Sequence, residues 1–387
     1  MIDATLSRGA DFGLSDEQRD FVRAIRDFCE RELGGDRLRE LTNDFEDLHH
    51  EETARRMAEL GWLGLTIDEE YGGSGGTFFD AALFLEETAR GQAPIGAYAV
   101  TLIVVGALRR FGTDEQRREL LGAVAEGGSL AIAMSEPDAG SDVAALKTRA
   151  RRDNGEWVLD GTKMWCSYAH KASHVLIVCR SGEGERHEGL SMILVPRDAD
   201  GFSMTPIETL GGKETHELHL DGCRVPADAL LGVDGGGWAQ LMAGLNNERV
   251  ILGAQALGLA QRAFDDALAY VKERTQFGRP VGSFQAIQHK LADLATELAQ
   301  VRLLVRSVAR MTDEDPDRVL AQEASMVKLA ATELAKRCAL EGMQVMGGYG
   351  YATEYPMERY LRAAVVTTIF GGTSEIQRNI IAKTLGL

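Results

Sequence analysis

The 387-residue sequence predicts a mixed α+β chain, with helices at both ends and a β-domain between them. Three observations predict it. Apolar residues recur at helical spacing in the first third of the chain and again in the last third. Between them, from Ser129 to about Val233, the runs are short and rich in β-branched and aromatic residues. Glycines mark the changes of texture, near Gly128 and at Gly235-Gly236-Gly237. The expected organisation is an N-terminal helical domain over 1–127, a central antiparallel β-domain over 128–234 and a C-terminal helical bundle over 235–387.

Ser15 with Gln18 makes a capping-box pattern, after which Phe21, Val22, Ile25, Phe28, Cys29 and Leu33 recur at helical spacing. Gly34-Gly35 stops that helix. More helices are expected up to about Glu126, and Thr113 with Gln116 repeats the capping pattern. In the β-domain, Glu156 to Leu159 leads into Asp160-Gly161, a hairpin turn signal. The runs from His174 to Cys179 and from Leu190 to Val195 read as strands. Beyond Gly237, long amphipathic segments cover about Trp238 to Arg274, Phe284 to Thr312 and Pro316 to Met346, lengths that pack naturally as an antiparallel bundle. Internal repeats and low-complexity segments are absent.

Composition excludes several functions. A net charge of −17 with no dense Lys/Arg run argues against nucleic acid or an anionic membrane surface as partner. The five cysteines are scattered without a CxxC pair, which fits reduced, buried thiols in a cytoplasmic protein. The eight histidines include no metal-ligand spacing, so no metal is expected, and His49-His50, His216 and His219 read as ordinary hydrogen-bonding residues. A basic region followed by an apolar run is missing at the N-terminus, and the longest apolar stretch, around Ala97 to Leu108, is too short to span a bilayer. Neither a GxGxxG after a strand nor a P-loop occurs.

The glycine-rich segments lie elsewhere. Ala133 to Asp142 (AMSEPDAGSD) ends a strand in a turn of small and hydroxyl residues, whose N–H groups can bond a pyrophosphate or a flavin edge. Gln344-Val-Met-Gly347-Gly348-Tyr-Gly350-Tyr351, followed by Glu354, Arg359 and Arg362, closes a long helix with glycines that admit a ligand close to the backbone. Near the C-terminus stands Ile369-Phe370-Gly371-Gly372-Thr373-Ser374-Glu375-Ile376-Gln377-Arg378.

Together these segments resemble, in order and spacing from about Leu14 to the C-terminus, the acyl-CoA dehydrogenase family. The resemblance implies that family's fold: an N-terminal helical domain, a central antiparallel β-domain and a C-terminal four-helix bundle. It also implies bound FAD, an acyl-CoA substrate, an electron-transfer flavoprotein as acceptor and a homo-oligomer, usually a tetramer built as a dimer of dimers. By the same resemblance, Met134, Ser135, Gly140 and Ser141 contact the flavin, with Ser141 also facing the substrate. Lys163-Met164-Trp165-Cys166-Ser167 matches the segment that lays an aromatic ring (Trp165) along the flavin and offers a hydroxyl (Ser167, in place of the usual Thr) to its N5. Arg274, Phe277, Gln285 and Gln344 match residues that reach FAD across a dimer interface; Gly347, Gly348, Thr373 and Glu375 join the cofactor set. Pro94 to Tyr98 is expected near the acyl pocket. An acid usually follows the second arginine of the Gln344 motif, where this chain has Ala363, a departure that weakens an ion pair.

The larger departure is Gly371, which stands where the family's usual catalytic Glu is found. The α-proton of a thioester is a weak acid, so its removal needs a carboxylate at the α-carbon and donors on the thioester carbonyl. A glycine keeps the N–H donor and loses the carboxylate. Glu248, in Leu245-Asn246-Asn247-Glu248-Arg249, matches the position used as base by a minority of the family, including isovaleryl-CoA and long-chain acyl-CoA dehydrogenases, which also carry a small residue at the Gly371 position. The resemblance therefore assigns Glu248 as the catalytic base and Asn246, Arg249, Gly371 and Gly372 to the substrate side. Two alternatives stay open at this level: an acyl-CoA oxidase using oxygen, and a non-catalytic or paired subunit of a heteromeric enzyme. Acyl chain length, branching and ring content are not readable from the sequence.

Overall fold

The computed structural model describes residues 13–43 and 46–387. Helices α1 (Asp16–Leu33), α2 (Arg37–Leu41), α3 (Glu51–Glu59), α4 (Phe78–Arg90) and α5 (Ala97–Phe111) come first, followed by short helical turns up to Ala125. The β-region comprises β1 (Leu130–Ala133), β2 (Arg149–Asp153), β3 (Glu156–Ser167), β4 (His174–Arg180), β5 (Leu190–Pro196), β6 (Phe202–Thr209), β7 (Gly212–Pro226) and β8 (Leu230–Leu231). Then come α6 (Gly237–Glu273), a hairpin of β9 (Thr275–Gln276) and β10 (Arg279–Pro280), α7 (Gln285–Glu314), α8 (Ala321–Met346), α9 (Gly348–Tyr351), α10 (Met357–Thr367) and α11 (Ser374–Thr384). Both capping patterns form as the spacing requires: Gln18 N–H donates to Ser15 Oγ (3.1 Å) while Ser15 N–H donates to Gln18 Oε1 (3.2 Å), and Thr113 with Gln116 does the same.

The chain divides into two compact units that interleave along the sequence. One holds α1, α4 and everything from Arg249 onward; the other holds Asp36–Thr77 and Pro94–Glu248. In the first unit, α4 packs on α1 and α7, and α8 packs on α7, α10 and α11. Helix α4 is buried nearly all round, including Glu86 and Glu87, which is why it lacks the one-sided stripe of a surface helix.

In the second unit the strands are ordered β6-β7-β3-β2-β4-β5-β8, with β1 added to β4. Neighbours are antiparallel except for β1 and β2, which run parallel to β4. Alternate residues of β4 enter two cores. Leu176 and Val178 face a cluster with Val104, Leu108 and Leu121; Val175, Ile177 and Cys179 face one with Trp157, Leu159 and Leu218. A strand covered on both faces reads as an unbroken apolar run. One expectation is corrected: Asp160-Gly161 is not a hairpin turn. The turn is Asn154-Gly155, both at positive φ (51° and 86°), between the paired Asp153 and Glu156. Strand β3 continues through Gly161, where a register shift against β7 places a bulge, and Asp160 Oδ1 accepts from the Gly222 N–H instead of capping a turn.

The same unit holds a polar cluster with His49 at its buried end. Lys171 Nζ lies 2.8 Å from Asp47 and 3.7 Å from Glu51; Glu214 accepts from the Leu48 N–H at 2.7 Å; the rings of His170 and His216 are 4.6 Å apart. Burial first, and the Lys171 charge second, push His49 down to about 4; burial and the neighbouring His216 do the same to His170. These imidazoles are held neutral, so their contribution to stability is full above the unfolded value near 6.5 and is lost as pH falls from 6.5 toward 4. For His49 a shift of that size is worth about 3 kcal/mol in full, of which about 2 kcal/mol is gone by pH 5. The expected result is a urea midpoint that falls steeply between pH 7 and pH 5, with a shallower slope in His49→Gln. An unchanged slope in that variant would remove His49 from the account.

Candidate active site

In the β-containing unit, the turn after β1 is held from beneath. Glu136, buried, accepts from the Lys147 N–H (2.6 Å), the Thr148 N–H (2.8 Å) and Lys163 Nζ (2.8 Å), and Lys163 also donates to the Met134 carbonyl (3.0 Å). Burial alone would raise the Glu136 carboxyl; Lys163 and the two N–H groups outweigh it and hold it below the usual value. Pinned by these bonds, the turn leaves Gly140 and Ser141 exposed and Ser135 half-exposed, with the Ser135 carbonyl accepting from the Met164 N–H (2.9 Å). Arg186, from the β4–β5 connection, closes the turn's far side on Asp142 at 2.8 Å.

On β3 a register shift between Lys163 and Cys166 throws Trp165 outward at φ +62°, a costly conformation for an aromatic residue, and leaves it 58% exposed. Ser167 stays on the strand, its Oγ 3.3 Å from Thr215 Oγ1. A strained backbone that displays a large flat ring marks Trp165 as a candidate ligand-facing residue. The structure thus places Met134, Ser135, Gly140, Ser141, Trp165 and Ser167 on one sheet and its adjoining turn. Farther along, α6 carries Asn246 and Glu248, both buried, with Glu248 only 6% exposed; Arg249, half-buried, follows. Most helix glutamates face solvent, and this one does not.

Pro94 to Tyr98 is largely enclosed. Ile95 bridges to His49, a Cβ on Gly96 would fall 2.0 Å from Tyr168 Oη, and Tyr98 Oη donates to the Leu63 carbonyl at 3.1 Å.

The other compact unit supplies the remaining residues. Phe277-Gly278 joins β9 to β10 as a two-residue turn with φ of +53° and +74°, and Phe277 is 93% exposed. Its ring meets Phe284 edge-on at 6.0 Å, and Gln285 opens α7 directly after Phe284. The Arg274 guanidinium stands 5.3 Å over the Tyr349 ring, next to the end of α8 that exposes Gln344. Gly347 ends α8 at φ +62°, ψ −138°, a conformation open in practice to glycine alone, and neither Gly347 nor Gly348 has an atom within 4 Å of where a Cβ would be. The hairpin and the α8 terminus therefore form one exposed cradle. The acid missing at Ala363 is replaced by Glu358, which binds Arg362 at 2.6 Å and lies 3.5 Å from Arg359.

Gly371 and Gly372 form a loop at φ +61° and +80°. Gln377 Nε2 donates to the Gly371 carbonyl (3.1 Å) and the Gly372 carbonyl (2.9 Å); Lys328 Nζ donates to the latter at 2.8 Å. Both side chains are fully buried. Thr373 is the N-cap of α11, accepting from the Ile376 N–H, and Glu375 is exposed in the first turn, its carboxyl held down by its own N–H and by Thr373. Sequence reasoning gave no role to Glu136, Lys163, Lys328 or Gln377. For Lys328 a signal existed: a single charge among Ser325, Val327, Ala331 and Thr332, all of which are buried.

A family model described as acyl-CoA dehydrogenase, C-terminal domain, matches residues 235–386; the N-terminal and middle domain models match 15–128 and 131–223. The chain is 38% identical over 380 residues to acryloyl-CoA reductase (NADH) of Anaerotignum propionicum, covering 96% of this chain and 95% of that protein. It is 38% identical over 382 residues to the probable acyl-CoA dehydrogenase YngJ of Bacillus subtilis (strain 168), covering 97% and 99%. Among solved structures it resembles a glutaryl-CoA dehydrogenase from Mycobacterium smegmatis in complex with FADH2, with a TM-score of 0.87 at 29% identity over 96% of this chain and 95% of that one.

Proposed function

This chain belongs to the acyl-CoA dehydrogenase family, and from that premise we propose that it desaturates an acyl-CoA thioester between the α and β carbons with Glu248 as the base. It is a flavoenzyme and an oxidoreductase, with FAD as its cofactor. The residues fit that group: the exposed Trp165 ring suits a flat tricycle, the hydroxyls and N–H groups of Ser135 to Ser141 suit its polar edge, and Arg274 beside bare Gly347 and Gly348 suits a pyrophosphate. FAD, when bound, supplies the acceptor for the β-hydrogen as hydride at its N5.

The chain's own residues handle the proton. The Glu248 carboxylate takes the α-proton; the electron pair of that C–H bond moves onto the thioester oxygen, where the Gly371 N–H donates. The observation that carries this reading is paired: glycine stands where the usual base would be, and a buried carboxylate stands on α6.

Further parts of the proposal follow from the same residues. Phe277, Gln285 and the Gln344 region form a cradle suited to FAD held by a neighbouring copy, so the enzyme is a homo-oligomer, a dimer of dimers. An electron-transfer flavoprotein is its acceptor. Five free, buried cysteines support a reducing, cytoplasmic location. Among the described residues, no helix is long and apolar enough to cross a membrane.

One experiment tests the set. The purified protein is expected to be yellow, with one FAD per chain, and to sediment as a dimer or larger. A panel of acyl-CoAs with an artificial acceptor identifies the substrate; substrate-reduced enzyme is then expected to react slowly with oxygen and quickly with an electron-transfer flavoprotein. A protein that stays colourless after reconstitution, or a flavin-loaded monomer, contradicts the cofactor site. Rapid stoichiometric peroxide formation moves the assignment to an oxidase.

A further inference from the structure

The end of β3 is bracketed by two residues in left-handed backbone, Trp165 at φ +62° and Tyr168 at φ +57°. Bulky residues are rare there and persist only where the surroundings enforce the conformation. Between them, Cys166 is buried, its thiol donating to the Ile132 carbonyl at 3.3 Å, and Ser167 closes the strand opposite Thr215. At Trp165 the register shift of β3 accounts for the conformation. At Tyr168 the packing does. The Tyr168 N–H donates to the Glu214 carbonyl at 2.7 Å, and its own carbonyl accepts from the Lys171 and Ala172 N–H groups. The ring lies between two imidazoles, edge-on to His49 at 6.2 Å and stacked with His170 at 6.4 Å. Its outer end meets Gly96 so closely that a Cβ there would fall 2.0 Å from Oη and 2.5 Å from Cζ. Gly96 is itself fixed, its N–H donating to the Leu48 carbonyl at 3.0 Å.

We propose that Tyr168 is a positioning residue, whose wedged ring fixes the backbone after β3 and so aims the Ser167 hydroxyl at the flavin N5. The proposal rests on the reading of Ser167 as the hydroxyl that meets N5. Ser167 Oγ stands 3.3 Å from Thr215 Oγ1, long for a bond between two hydroxyls. The direction of the Ser167 side chain therefore depends on the backbone that carries it, which Tyr168 holds from one side. A hydrogen bond to a flavin ring nitrogen tunes the balance between the oxidised and reduced cofactor. A misdirected hydroxyl is thus read as a shift of the midpoint potential. In this role Tyr168 acts through Ser167, and its effect disappears when the hydroxyl is gone.

The test measures the two-electron midpoint potential of the FAD-loaded protein without acyl-CoA. Ser167→Ala sets the scale, with an expected shift of about 30 mV, the two-electron equivalent of a tenfold change. Tyr168→Gly leaves the left-handed conformation open and removes the ring that enforces it. It is expected to shift the potential in the same direction, and to add nothing in the Ser167→Ala background. Tyr168→Phe keeps the ring and is expected to hold the wild-type potential. Gly96→Ala drives the ring aside without altering residue 168 and is expected to reproduce Tyr168→Gly. Thermal unfolding of the apoprotein confirms that each variant is folded; should Tyr168→Gly not fold, Gly96→Ala decides. With Ser167→Ala shifted, Tyr168→Gly at the wild-type potential would overturn the proposal. A double variant whose shift is the sum of the two single shifts would overturn it as well, because the residues would then act independently. Ser167→Ala at the wild-type potential would instead overturn the reading of Ser167, and the proposal with it.

Discussion

Glu248→Gln is expected to bind FAD and acyl-CoA as wild type does and to reduce its flavin slower by a factor on the order of 10² to 10⁴, the usual contribution of a general base. The substitution keeps the size of a side chain that is 6% exposed and leaves the packing around Val250 and Ile251 intact, so the loss falls on the proton-transfer step. The measurement is anaerobic stopped-flow reduction by a good substrate. Reduction at the wild-type rate would show that Glu248 is not the base and that the carboxylate comes from elsewhere in the chain or from a partner subunit. Moving the base back to the common family position is not a simple rescue. Gly371 lies at φ +61°, where any residue with a Cβ is strained, so Gly371→Glu carries a backbone penalty of about 1 kcal/mol or more before any contact with substrate.

The largest expected loss of stability comes from Glu86→Gln. Glu86 is enclosed in the unit built on α4, with Arg302 Nε at 2.7 Å and Arg306 at 3.5 Å. The network extends through Gln261 to Asp265 and Arg90, and Glu87 binds Arg26 beside it. Burial would raise the Glu86 carboxyl, but the two arginines outweigh it and keep it ionised. Its folded value is thus depressed: the stabilisation is present above the unfolded carboxylate range near pH 4 and is lost as pH falls through the folded value. An amide removes the carboxylate that two buried guanidinium groups share, a cost of about 3–5 kcal/mol. For a chain of 387 residues unfolding as one unit, that is about 4–6 °C in Tm. Calorimetry checks it, and adding Arg302→Met is expected to recover part of the loss, because the pair is then removed together. A Glu86→Gln variant as stable as wild type would mean that the arginines are solvated in solution.

Local signals were legible wherever the physics is local. The capping boxes at Ser15 and Thr113 and the long helices after Gly237 follow from spacing alone, because a helix satisfies its own backbone within four residues. The hairpin signal at Asp160-Gly161 misled for the same reason in reverse. Dipeptide chemistry reports where a turn is permitted, whereas pairing with β7 across more than fifty residues decided that β3 continues and bulges there.

The residues proposed to hold the cofactor were legible as a resemblance. The structure adds physical form to them: Trp165 and Phe277 are exposed aromatics on left-handed backbone, and Gly347 holds a conformation closed to other residues. The second layer was not legible. Glu136 with Lys163, Lys328 with Gly372, and Glu86 with Arg302 join residues 27, 44 and 216 positions apart.

The sequence by itself determined the element types and the family, because these rest on residue identities and short-range periodicity. Tertiary structure alone decided that α1 and α4 pack with the C-terminal helices, that Glu248 is buried rather than solvent-facing, and which charges meet. The physical reason is that burial and electrostatic pairing depend on what the folded chain brings alongside, and no periodicity of three or four residues encodes a partner hundreds of residues away.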